Sequence, residues 1–132
     1  MKIKKVKKKF LEYYYMIPAK VDVKELSKTI TTVSEKQIEI WKEINLMEVV
    51  LTSDSLIFED AKNCFIDPLD LAFLKEHQIE TIYQVSFEQN DGKKVVEIFK
   101  ELMQNQGGFL ASDSEDFTPT FTIKNIDGIV RG

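Results

Sequence analysis

The sequence is poor in the residues on which most enzyme and metal chemistry depends. Its 132 residues include one cysteine, Cys64, and one histidine, His77. A lone cysteine cannot close an intramolecular disulfide, which favours a reducing compartment and a cytoplasmic location. One Cys and one His cannot supply the four-ligand set of a common zinc site from a single chain. Glycine-rich phosphate cradles are missing too: neither G-x-x-x-x-G-K-[ST] nor G-x-G-x-x-G occurs. The one glycine pair, Gly107-Gly108, follows a helical stretch and reads as its stop. No stretch approaches the roughly 18 apolar residues of a membrane span. The basic start runs through Phe10 and Leu11 straight into Glu12, so no secretory signal peptide is expected.

Nucleophilic catalysis has little to work with. Cys64 and His77 are the only candidates for a thiol–imidazole pair. A small buried thiol and an exposed histidine at a helix end, near the negative end of the helix dipole, account for both. Ser112 and Ser114 have no second histidine to activate them and no G-x-S-x-G context. No cofactor is expected, and the reading points away from an enzyme.

What remains is an ordinary globular composition, 43% apolar and 30% charged, with nine Phe, four Tyr and one Trp as core material. This length suits one domain. The charge is uneven. Six lysines fall within residues 1–9, which read as a solvated basic arm or the start of a first strand. Residues 10–132, read as one α+β domain, then carry 12 Lys+Arg against 22 Asp+Glu, a net charge of −10. Such a body repels phosphate backbones, so nucleic-acid contact would rest on the arm alone.

The aromatic run 10–17 reads as a strand with large side chains on both faces. Asp22 and Glu25 have capping-box spacing before Val23, Leu26, Ile30 and Val33, predicting a helix weakened at its end by β-branched residues. Ser34 and Gln37 form a second box, and the spacing of Ile38, Trp41 and Ile44 predicts a helix over 35–45. Alternation over 47–52 and 56–59 about Ser53-Asp54 predicts a hairpin. Asp67-Pro68 starts a helix ending near His77, with Leu69, Leu71, Phe73 and Leu74 as its buried face. A strand over 80–88, a helix after Asn90-Asp91-Gly92, a short strand at 109–111 and an edge strand over Phe117–Lys124 complete the chain. The order β-α-α-β-β-α-β-α-β-β implies an α+β fold, a mostly antiparallel sheet with helices packed on one face. Its central part matches the ferredoxin-like β-α-β-β-α-β pattern, with an additional helix.

Two surfaces emerge. The loop bearing Asp113, Glu115 and Asp116 could meet a basic protein, as inhibitors and immunity proteins do against nucleases. The leading expectation is therefore a non-enzymatic protein-binding module with an acidic surface. The same carboxylates could rim the pocket of a small enzyme, in which case one should titrate high. Tyr13 and Tyr15, on one strand face beside the lysine arm, could stack on single-stranded nucleic acid, although the signature of that sheet class is missing. Oxygen-ligand metal binding at the loop lacks EF-hand spacing, and solvated charge explains it.

Overall fold

Phe10–Ile17 forms strand β1, an interior strand of the sheet. The computed structural model describes residues 8–130; most of the lysine arm therefore lies outside the described residues. After β1 come helix α1 (Val23–Thr29) and strands β2 (Ile38–Trp41), β3 (Leu46–Val50) and β4 (Ser55–Asp60). Helix α2 (Pro68–Glu76), strand β5 (Thr81–Glu88), helix α3 (Gly92–Gln106) and strands β6 (Phe109–Ser112) and β7 (Thr120–Phe121) follow. A 3-10 turn at Ile126–Val130 ends the described chain.

The α+β class holds. All seven strands join one antiparallel sheet in the order β2-β3-β4-β5-β1-β6-β7. Within it, β1 runs parallel to β4 across β5, and β5 parallel to β6 across β1. These are the two split crossovers of the β-α-β-β-α-β pattern. Helices α1 and α3 lie over the same face, where Tyr15, Ile17, Met47, Val49, Phe58, Tyr83, Val85 and Phe87 meet Leu26, Phe99 and Leu102. The additional helix, α2, sits at one end of the opposite face, so the expected packing of helices on one face holds only for α1 and α3. There Leu74 closes over Met16, Ile82 and Ala111.

Local chemistry explains the element ends. Asp22 accepts from the Glu25 amide at 2.9 Å and starts α1, which stops at Thr29 as the β-branched run begins. Asp67 accepts from the Leu69 amide at 2.8 Å, with Pro68 in the first turn of α2. Gly107 and Gly108 end α3 at φ 74° and 82°. A Cβ at Gly108 would lie 2.3 Å from the Met16 carbonyl oxygen, so only glycine fits between helix and sheet.

Two expected elements also fail. The stretch 35–45 is no helix: it is β2 between 3-10 turns at Glu35–Gln37 and Lys42–Ile44. The Ser34–Gln37 capping box does form, but it opens only a single turn. Ile38 and Ile40 pack on the core while Glu39 and Trp41 point away, and pairing with β3 wins over a helical stripe only three apolar residues long. The strand expected over Phe117–Lys124 shrinks to Thr120–Phe121 at the sheet edge. Phe117 adopts φ 62° and is buried, which breaks the alternation.

Candidate functional site

The acidic loop is held in place by Phe117. Its ring sits 4.8 Å from Phe73, 5.7 Å from Phe65 and 6.4 Å from Tyr14, plugging the core beneath α2. A left-handed conformation at a bulky residue costs about 1–2 kcal/mol, and this burial offsets it. Asp116 turns back into its own loop. It accepts from the Thr118 hydroxyl at 2.6 Å, the Thr118 amide at 3.2 Å and the Ser114 hydroxyl at 3.2 Å. Those bonds, the Thr118 hydroxyl first, hold its carboxyl below the usual range. Asp116 is a brace. Asp113 and Glu115 are left pointing outward, both exposed.

Across from the loop stands the start of α2. Between them lies a cleft of about 510 Å³ lined by Asp113, Glu115, Asp67, Asp70, Tyr14 and Cys64, among others. None of its lining residues is basic. The Tyr14 phenol is pushed above its ordinary pKa by partial burial first, then by Asp113, Cys64 and Glu12. Apolar surface borders the acid: Ile66 is 83% and Leu69 80% exposed. This corrects the expected buried face of α2. Leu74 is buried and Phe73 partly so, but Leu69 and Leu71 face out, because α2 touches the sheet only at its C-terminal half.

Cys64 is also exposed, contrary to expectation, since its 3-10 turn lifts it to the cleft rim. His77, exposed as expected, caps the far end of α2, with Nδ1 2.9 Å from the Phe73 carbonyl oxygen. Nine helical residues set the two ends about 13 Å apart. They form no thiol–imidazole pair. The Ser112 and Ser114 hydroxyls donate to Pro119 and Thr118 carbonyls at 2.6 and 2.8 Å, which is loop structure. Among the described residues, no group of three or more His, Cys, Asp or Glu is placed to hold a metal ion, and no helix is long and apolar enough to cross a membrane.

The tyrosine pair separates on inspection. Tyr15 is fully buried under α3, its hydroxyl donating to the Gly107 carbonyl at 2.7 Å. Burial pushes its pKa far upward. Tyr13 is half-buried between Phe87 and Phe121, at 6.2 and 5.8 Å. Both lie on the helix-covered face, so they offer no paired stacking platform. At the root of the arm, Lys8 reaches the Ser53 carbonyl at 2.9 Å and the Asp54 carboxylate at 3.2 Å.

Sequence reasoning found Asp113 and Glu115 but missed Asp67 and Asp70 opposite them. In the sequence Asp67 reads only as a helix start, and it does cap α2. Only the packing of α2 beside the loop brings the four carboxylates to one cleft. Comparison with protein-family models, curated proteins and solved structures found no match.

Proposed function

We propose that this protein is a non-enzymatic binding module that holds a basic protein through acidic surface, in the manner of an inhibitor or immunity protein. One observation carries the reading. Four carboxylates line a cleft free of basic residues and bordered by exposed Ile66 and Leu69. Charge of one sign steers a basic partner and apolar rims hold it, a combination typical of recognition surfaces. Affinity isolation at low and high salt, followed by binding measurements on the partner so identified, tests this. Asp113→Asn with Glu115→Gln is expected to weaken binding roughly tenfold, mostly through a slower on-rate. Binding indifferent to salt and to both substitutions would end the proposal.

The same cleft supports a second reading, a small enzyme whose carboxylates do acid–base work beside the Tyr14 phenol. It requires one cleft carboxylate to titrate well above the ordinary range. Carboxyl-carbon NMR across pH 3–8 measures this, and ordinary midpoints for Asp67, Asp70, Asp113 and Glu115 would remove the enzyme and leave the binding module.

A further inference from the structure

The sheet face opposite α1 and α3 is covered only at one end. Helix α2 closes over Met16 and Ile82, and the rest of β1 and the strands out to β2 lie open. Side chains alternate along a strand, so the register places Glu12, Glu39, Glu48 and Glu59 on this open face. Glu39 and Glu48 are direct cross-strand partners, an arrangement that destabilises a sheet left to itself. Glu48 has one compensating donor, the Ser55 hydroxyl at 2.5 Å. None of the ion pairs among the described residues involves these four glutamates. No position that β1–β5 present here is Lys or Arg. Phe10, 48% exposed, and Trp41, 39% exposed, stand at opposite corners of this face, with the partly buried Leu46 and Ile57 on the diagonal between them.

Resting on the acidic-surface reading above, we infer that this open face docks a basic amphipathic helix of the protein partner, with Lys or Arg flanking an apolar stripe. Charge complementarity names the basic flanks, and the diagonal of Trp41, Leu46, Ile57 and Phe10 names the apolar stripe. A second copy is disfavoured, because it would set the four glutamates against themselves. A helix fits better than a strand because the surface is one of side chains, and this sheet already takes helices on both faces. Five strands, β2 to β1, span about 19 Å, enough for a helix of about 10 Å diameter beside α2.

Trp41 is the only tryptophan, so its emission reports on this face alone. The probe is a synthetic Lys/Leu amphipathic helix of about 18 residues, ~27 Å long. A scrambled peptide of the same composition and a Glu/Leu helix are the controls. The Lys/Leu helix should shift Trp41 emission to the blue and shield it from acrylamide, at least roughly tenfold more tightly than the scrambled peptide. Glu39→Lys with Glu48→Lys should abolish the effect, and Asp127→Asn, a carboxylate paired with Lys100 at 3.4 Å, should not. Circular dichroism checks the fold of each variant, and Glu12→Gln with Glu59→Gln replaces the first pair if it fails. Binding that leaves Trp41 unchanged but is lost in Asp113→Asn with Glu115→Gln would overturn the inference and leave the binding module standing. Trp41 already shielded in the free protein, and released by deleting residues 1–7 or by dilution, would assign the face to the lysine arm or a second copy and overturn it as well. Failure of the Lys/Leu helix to bind at low salt would count against both readings.

Discussion

The two faces of the sheet are built from alternate residues of the same strands, yet they obey different rules. Toward α1 and α3, Tyr15, Met47, Phe58, Tyr83, Val85 and Phe87 are all fully buried. Their polar atoms have partners there: the Tyr83 hydroxyl donates to the Val21 carbonyl at 2.6 Å, and Tyr15 to Gly107. One residue along, Glu12, Glu48, Ile57 and Glu59 remain wholly or partly in water. The first face is fixed by apolar area and steric fit, the second by charge that finds no opposite within the described chain. Stability and recognition can therefore be altered separately, one residue apart.

The largest test of that contrast is a neighbouring pair. Phe58 packs 5.6 Å from Phe99 and 6.3 Å from Tyr83, so Phe58→Ala should cost about 3–5 kcal/mol in urea unfolding. Ile57→Ala, on the open face, should cost about 1 kcal/mol or less. Equal losses would mean that the open face is packed against something. A smaller effect of opposite sign is expected at β2. Glu39→Lys should form a cross-strand pair with Glu48 and raise stability by roughly 0.2–1 kcal/mol, an increase that added salt shrinks.

The smallest effect lies at the rim of the covered side. Glu101 on α3 accepts from the Thr31 amide at 2.6 Å and the Thr32 amide at 3.2 Å, and from both hydroxyls. Burial alone would raise its pKa, but those donors outweigh it and hold the carboxyl below its ordinary value. A depressed folded value contributes stability above the ordinary carboxylate range. That contribution fades as pH falls from about 5 through the lowered folded value. Glu101→Gln should flatten this acid limb. Water screens the group, so the change should be a few tenths of a kcal/mol, about the limit of equilibrium unfolding at pH 3–6.

Much of the fold was legible because short-range rules and long-range packing agree. The parity of β1 and β5, the starts of α1 and α2 at Asp22 and Asp67, and the glycine stop of α3 all follow from local chemistry. The 35–45 stretch is ambiguous in sequence, because Ile38, Trp41 and Ile44 fit a helical spacing while Ile38 and Ile40 also fit a strand. Only β3, supplied by the rest of the chain, decides between them. Leu69 and Leu71 looked buried because periodicity marks a possible apolar face without saying whether anything covers it. Half of the cleft was legible, since Asp113 and Glu115 are neighbours in sequence. Its other half came from α2. The open acidic face was invisible for a related reason: Glu39 opposes Glu48 only once the strand register is known.

The position of β1 has a consequence for how the molecule is made. It leaves the ribosome before the other described strands, yet its neighbours in the sheet are β5 and β6, at Thr81–Glu88 and Phe109–Ser112. At about 5–20 residues per second, several seconds of synthesis separate β1 from its first partner. Through that interval Tyr13, Tyr14, Tyr15, Met16 and Ile17 have both edges unpaired. Nascent chains halted before Thr81 should therefore be sticky and protease-sensitive, and those released beyond Phe121, the end of β7, should close the sheet.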